Sequence, residues 1–386
     1  MLQKLKNLYH LFQAVLANLY YGFPSRRLKV IGVTGTDGKT TTTHLIYHIL
    51  KSAGKKVSMV SSVYAKVGEK EFDIGFHVTT PDVFPLQKLL SESVKNKDEY
   101  FILETTSHAL YQNRVFGIQF EVGVLTNVTH EHLDMHHTLD EYTKIKSLLL
   151  KQAKFAVANA DDQSFNRLKR ILKNKKVISY NSKDFKIIKD LSNLTDFNKY
   201  NYLAAYTVCN QLGLIKNNII AAMKTFKLPQ GRMELVYDKE FKVIIDFAHT
   251  PNAFENVLPE IRKLYLKKNG RLIHIFGAAG LRDASKRPLM GKASNQYADV
   301  IILTEEDYRT EDPQVICRSI AQGITNRPVF TIIDRKKAIR KAMEMVKKND
   351  VILLTGKSHE KSLCRGKIEY PWDEQKTVMQ ALDKLT

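Results

Sequence analysis

The chain has 386 residues, 44% of them hydrophobic, which argues for two or three folded domains and against wholesale disorder. A formal net charge of +20 favours anionic partners: nucleotides, nucleic acid or an anionic lipid surface. Cys209, Cys317 and Cys364 are widely spaced, which argues against a disulfide framework or zinc site and fits a reducing cytoplasm.

Residues 1–27 read as a basic, aromatic amphipathic helix. Positive charges stand at Lys4, Lys6, Arg26, Arg27 and, just beyond, Lys29, with no acid in the first thirty residues. Leu8–Phe23 carries no charge apart from His10. The run is short for a membrane span, which needs about 20 apolar residues, and no convincing signal-cleavage site follows. Two readings stay open: a helix lying on an anionic interface, or a helix packed on the body of the protein.

Lys29–Thr34 is a β-branched strand, followed by a glycine-rich turn and a helix over Thr40–Leu50. Further strands are expected at Lys56–Ser61, Tyr100–Glu104, Val122–Leu125 and Phe155–Ala158, with helices such as Phe84–Val94 and Leu139–Gln152 between them. A second series begins after Leu228-Pro229-Gln230-Gly231. Its strands are Lys242–Asp246, Arg271–Phe276, Val300–Thr304, Val329–Ile333 and Val351–Thr355. Strands alternating with helices predict α/β architecture with mostly parallel sheets and crossover helices. A domain boundary is expected near Pro229, giving domains at 28–228 and 229–386.

The turn after the first strand reads GVTGTDGKTT, residues 32–41. Gly35 and Gly38 let the backbone bring its amides close to phosphate oxygens. Lys39 can reach terminal phosphates, and the Thr40 hydroxyl can ligate magnesium. The match to the strict phosphate-loop pattern is imperfect: Val33 stands where glycine is wanted, and Gly32 lies one place earlier. The strand before and the helix after support phosphate binding. No arginine-rich tract or RNA-binding aromatic signature accompanies the positive charge, so nucleic acid is not expected.

TGTDGKTT resembles the ATP loop of the Mur ligase family, whose members join amino acids to peptidoglycan precursors. Other matches follow in the family's order: TTPD at 79–82, ETTSHAL at 104–110, NVTHEHLDMHHTLDEYTKIK at 127–146, NKYNYLAA at 198–205 and GRME at 231–234. DFAHTPNA at 246–253, GLRDASKRPLMG at 280–291, TEEDYRTEDP at 304–313 and GKSHE at 356–360 complete the set. The set is most similar to the MurE type. It implies a P-loop ATPase central domain and a Rossmann-like C-terminal domain. The implied enzyme phosphorylates a carboxylate with ATP and lets an amine attack the acyl phosphate.

The resemblance implies residue roles. Gly35, Thr36, Asp37, Gly38, Lys39, Thr40 and Thr41 would hold the ATP phosphates, with Asn201 on the adenine side. Arg232, Asp246, His249 and Lys286 would reach the nucleotide from the second domain, and Arg287 could approach the phosphates. Lys39, Glu104, His132 and Lys146 form the implied catalytic set. Thr40, Glu104, His132 and a carbamylated Lys146 would serve magnesium. A carbamate requires a neutral lysine amine, as burial beside cations would favour; the alternative is a plain lysine on a helix surface. Thr79, Thr80, Thr106, Gln112 and Arg114 would hold the acceptor, a muramoyl-peptide. Arg282, Glu306, Asp307, Arg309, Gly356 and Glu360 would read the incoming amino acid. Arginine at 309 typifies enzymes that add meso-diaminopimelate, because a bidentate fork suits a distal carboxylate; the alternative is an ion pair with Glu305, Glu306 or Glu311.

MurE-type enzymes begin with a further domain that grips UDP, whereas this chain reaches its ATP loop at Gly32. The expectation is that this domain is lacking and that the basic helix stands in its place. The acceptor is then expected to be lipid-linked or shortened, met by a cytoplasmic monomer at the inner membrane face. Two other functions stay open: a ligase of another substrate, such as a folate polyglutamylating type, and a non-catalytic nucleotide-binding scaffold.

Overall fold

A computed structural model describes residues 2–75, 78–129, 138–191 and 194–384. The chain divides into two compact units, Met1–Lys227 and Leu228–Thr386.

The first unit opens with α1 (Leu2–Tyr21) and a 3-10 turn at Pro24–Arg27. It continues through β1 (Lys29–Thr34), α2 (Lys39–Ser52), β2 (Val57–Val60), β3 (Ala65–Val67), β4 (Lys70–Phe72), α3 (Val83–Lys95) and β5 (Tyr100–Glu104). Then come α4 (Ser107–Tyr111), β6 (Phe120–Leu125), α5 (Leu139–Gln152), β7 (Phe155–Asn159), α6 (Phe165–Ile171), β8 (Val177–Tyr180), α7 (Asp196–Gln211) and α8 (Lys216–Thr225). The sheet order is β4-β3-β2-β5-β1-β6-β7-β8, parallel throughout except for the β2–β3 and β3–β4 pairs. Strands buried on both faces need apolar side chains in unbroken runs. Beyond the exposed Lys29, all of β1 is buried. Val30 faces one core layer with Phe101, Leu103 and Leu149. Ile31 and Val33 face the other with Leu45, Ile49, Val124 and Leu203.

Gly32 has a packing role. A Cβ there would lie 2.6 Å from the Leu149 side chain and 2.8 Å from that of Phe120. Its absence lets α5 close on the sheet, which also brings in Lys146, one turn before Leu149. The glycine that broke the phosphate-loop pattern therefore serves the helix behind it.

The second unit contains β9 (Glu234–Asp238), β10 (Lys242–Asp246), α9 (Pro251–Tyr265), β11 (Leu272–Phe276), α10 (Lys286–Tyr297), β12 (Val300–Leu303) and α11 (Pro313–Ala321). It ends with β13 (Val329–Thr331), α12 (Arg335–Met345), β14 (Val351–Thr355), β15 (Ser362–Arg365), β16 (Ile368–Pro371) and α13 (Glu374–Leu382). Its main sheet runs β13-β12-β11-β14-β10-β9, with only β9 antiparallel, and β15 pairs with β16. Both units are thus α/β, as expected.

His274 lies wholly inside this second sheet, hydrogen-bonded to Ser294 Oγ (2.9 Å) and Thr355 Oγ1 (3.0 Å). Burial first, and then the Arg335 charge, lowers its pKa from 6.5 to about 3. The unfolded chain takes up this proton below pH 6.5 while the folded chain resists it. The stability contribution is therefore complete above pH 6.5 and is lost as pH falls toward 3, by up to about 1.4 kcal/mol per pH unit. Denaturant unfolding of His274→Gln across that window should show a shallower pH slope than the wild type; an unchanged slope refutes the assignment.

Candidate active site

In the first unit, order reverses around β1: the chain leaves it for β2 on one side and returns from β5 to β6 on the other. Ligands of open α/β sheets bind beyond strand ends at such a switch. The β1 register sets Val33 beside Glu104 of β5 and Thr34 beside Leu125 of β6. The loop after β1 therefore meets the ends of both neighbours.

Polar residues after β6 strap that loop. Asn127 Oδ1 accepts from the Asp37 amide (2.9 Å), Thr126 Oγ1 donates to Asp37 O (2.7 Å), and the Thr129 amide donates to Thr36 Oγ1 (3.0 Å). Gly38 has φ +81°, and a Cβ there would lie 2.2 Å from Asn201 Oδ1. The same approach places Asn201, on α7, against the loop. Thr41 is buried in the first turn of α2.

Two lysines meet on one oxygen. Lys39 Nζ donates to Gly35 O (3.1 Å) and Thr36 O (2.6 Å), and Lys146 Nζ donates to the same Gly35 O (2.6 Å). Lys146 is 1% exposed and lies 4.3 Å from the centroid of the Tyr142 ring. Beside them, Thr40 Oγ1 donates to Glu104 Oε1 (3.1 Å) and contacts Ser62 Oγ (2.9 Å). The Ser62 amide donates to Glu104 Oε2 (2.9 Å). These are hard oxygen donors at a loop lined with amides and lysines, a donor set that suits magnesium and a polyphosphate. His132 lies outside the described residues.

The expected acceptor residues gather at the end of β5. Thr80 Oγ1 donates to Glu104 O (2.9 Å) and accepts from the Thr106 amide (3.0 Å). Thr106 caps α4 through its side chain. Arg114 donates to Gln112 Oε1 (2.9 Å) and Thr80 O (3.0 Å) and pairs with Asp82 (2.9 Å). Thr79 is half-buried next to Thr80.

In the second unit, Asp246 ends β10 and accepts from the Met233 and Ala248 amides, both at 2.8 Å. Burial raises its pKa, against the opposing charge of Arg232. The Arg232 guanidinium stacks 4.6 Å from the Phe247 ring centroid, and Lys286 Nζ donates to His249 O (2.9 Å). Arg287 is held by a carboxylate of its own unit. It is buried and bound by two hydrogen bonds to Glu311, at 2.6 and 2.8 Å.

The residues expected to read the amino acid have different partners. Glu306 is buried against Gly356, and its Oε2 has no hydrogen-bond partner among the described residues. Burial first, then Asp307, raises its pKa. Asp307 and Glu360 are drawn together by Lys357, whose ammonium lies 2.9 Å from Asp307 Oδ1 and 2.5 Å from Glu360 Oε2. These partners raise the Lys357 pKa although burial opposes them. Arg309 Nη1 donates to Gly280 O (2.7 Å). Glu305 and Glu311 are instead held by Arg365 and Arg287. Arg282 is exposed. Ser62, Thr126, Asn127 and Lys357 join these clusters in addition to the expected residues. Asn127 and Lys357 stood inside quoted motifs, as the polar residues closest to a strand end.

A strapped phosphate loop with two lysines, on an α/β unit followed by a second α/β unit, defines an ATP-dependent enzyme. Residues 33–204 match the Mur ligase middle domain, and residues 231–358 match the Mur ligase, glutamate ligase domain. The UDP-N-acetylmuramoyl-L-alanyl-D-glutamate--2,6-diaminopimelate ligase of Aquifex aeolicus (strain VF5) is 39% identical, over 95% of this chain and 80% of its own length. A solved structure bearing that enzyme name is 28% identical, with TM-score 0.59 over 93% of this chain and 79% of that one. A Mycobacterium tuberculosis folylpolyglutamate synthase shares the fold alone, with TM-score 0.72 at 13% identity over 90% of this chain and 92% of that one. The chain belongs to the Mur ligase family and is an ATP-dependent ligase.

Proposed function

We propose that this ligase is of the MurE type and adds a diamino diacid, meso-diaminopimelate, to the free carboxylate of a muramoyl-peptide in cell-wall synthesis. The name of the Aquifex relative, which pairs a UDP-linked muramoyl-dipeptide with 2,6-diaminopimelate, supports the amino acid and the muramoyl-peptide class of the acceptor. The observation that carries the chemistry is the meeting of Lys39 and Lys146 on Gly35 O, beside the Thr40–Glu104 oxygen pair.

An acceptor carboxylate oxygen bonds to the γ-phosphorus of ATP as the bond to the bridging oxygen breaks and ADP leaves. The neutral amine of the amino acid then attacks the acyl carbon. Phosphate departs, and the extra amine proton is lost to water. Lys39 and the loop amides offset charge on the transferring group. Thr40 and Glu104 would hold magnesium, with His132 added by resemblance, and the ion would neutralise phosphoryl charge. Lys146 would bear carbon dioxide as a carbamate, changing a cation into an oxygen donor. Thr80, Thr106 and Arg114 suit a carboxylate-bearing acceptor, and Arg309 the distal carboxylate of the amino acid. The enzyme works as a cytoplasmic monomer, with residues 1–27 directed to the inner membrane face.

Phosphate release in the presence of candidate amino acids tests this reading. Release that depends on diaminopimelate supports it; release that depends on glutamate, or none with any amino acid, overturns it. In Arg309→Ala, KM for diaminopimelate should rise by about tenfold to a hundredfold, the scale of a lost charge-assisted pair, with KM for ATP little changed.

A further inference from the structure

We infer that α1 docks the protein on an anionic bilayer and holds the acceptor-binding loops at that surface, so that the acceptor is a muramoyl-peptide carried on a lipid. This rests on the acceptor residues proposed above.

The inner stripe of α1 is built for contact with the protein. Ala14, Ala17 and Asn18 are buried, and the two alanines pack with Val83 of α3. Asn18 Nδ2 donates to Phe116 O (2.9 Å), and Ser25 Oγ, just past the helix, donates to Gly117 O (3.4 Å). The opposite face is apolar as well. Leu8 (64% exposed), Phe12 (60%), Leu19 (60%) and Tyr20 (77%) stand on it, with Tyr9 and Leu16. α1 thus presents a contiguous apolar strip on the side away from the protein, and such a strip marks a contact surface.

Charge decides which environment. No Asp or Glu precedes Asp37. Arg26, Arg27 and Lys29 are exposed beyond the end of α1, and Lys4 and Lys6 stand in its first turns. A second copy would bring the same positive charges against these, whereas anionic headgroups complement them. No described helix is long and apolar enough to cross a membrane. An apolar strip with aromatic residues and a basic border is what an in-plane interfacial helix presents.

The same contacts carry the acceptor side. Val83, beneath α1, follows Asp82, which pairs with Arg114, and Arg114 donates to Thr80 O. The 116–117 loop that receives Asn18 and Ser25 lies two residues past Arg114. Lipid contact at α1 therefore sets these residues close to the headgroups, within reach of a peptide anchored in the bilayer.

Sedimentation of the full chain with phosphatidylcholine vesicles, with and without phosphatidylglycerol, tests the inference. The expected result is binding to anionic vesicles only, weakened by salt. Binding should fall by about tenfold or more in Phe12→Glu/Leu19→Glu and in Arg26→Glu/Arg27→Glu. These side chains are exposed, so the thermal midpoint should not move. Phe12→Glu/Leu19→Glu should keep phosphate release with a water-soluble muramoyl-peptide and lose it with the lipid-linked peptide in vesicles. No binding to anionic vesicles, equal binding by the variants, or a wild-type dimer that Phe12→Glu/Leu19→Glu converts to monomer would overturn the docking. Equal turnover of soluble and vesicle-borne acceptors by both proteins would overturn the lipid-linked acceptor. Turnover of no acceptor by the wild type would instead refute the ligase reading, with vesicle binding still judging the docking by itself.

Discussion

Lys146→Ala is expected to slow ATP-dependent phosphate release by about a hundredfold to a thousandfold, the scale seen when one preorganised electrostatic group is removed from an active site. The side chain is buried, donates to the Gly35 carbonyl shared with Lys39, and stacks on Tyr142. Alanine would remove the charge and leave space behind the phosphate loop. Lys146→Met separates these effects, because it keeps an apolar stem of similar length. If the amino group matters, Met will match Ala in turnover while lying closer to the wild type in thermal midpoint. If it acts as a carbamate, a short carboxylate such as acetate will restore part of the activity of Lys146→Ala. Isotope-labelled bicarbonate will also give a carbamate resonance in the wild type that Lys146→Met lacks. Wild-type turnover in Lys146→Met would remove Lys146 from the chemistry altogether.

Arg335→Ala should destabilise the second unit by about 3–5 kcal/mol, the cost of leaving a buried charge without its partner. Arg335 and Glu374 are both fully buried, with Arg335 Nη2 2.5 Å from Glu374 Oε1. The guanidinium also donates to Thr355 O (2.8 Å) and Glu305 O (3.3 Å), joining α12 and α13 to the ends of β14 and β12. Removing it strands a carboxylate and two carbonyls together. Trp372, the single tryptophan, donates to Glu374 Oε2 (2.7 Å), so its fluorescence follows this unit through denaturant unfolding. Replacing both partners, Arg335→Met with Glu374→Leu, should recover most of the loss, since an apolar pair leaves no charge unpaired. A loss under about 1 kcal/mol in Arg335→Ala would place the pair with exposed ion pairs and refute its structural role.

The α/β class was legible because parallel strands are apolar on both faces and stand out as unbroken runs. β1, β5, α5, β10 and β14 begin and end at the residues expected from the pattern. The β3–β4 and β15–β16 hairpins were not expected. Their strands have three or four residues, too few for a period to declare itself. The local chemistry of the glycine-rich turn was also legible, because a strand, two glycines, a lysine and a helix lie within one short segment.

The residue pattern is thus legible over short range: which segments are apolar enough to be strands, and where the phosphate-type turn falls between them. Which distant residues meet depends on strand order and packing in the folded chain. β5 lies beside β1 although β2 follows β1 in the chain, and this order brings Glu104 to Thr40. The omission of a side chain at Gly32 lets α5 bring Lys146 to the carbonyl that also holds Lys39. Lys357 reaches back fifty residues to Asp307 and so draws it to Glu360. Spacing along a chain limits such meetings only over a few turns or strands; beyond that, strand order and packing set the distances.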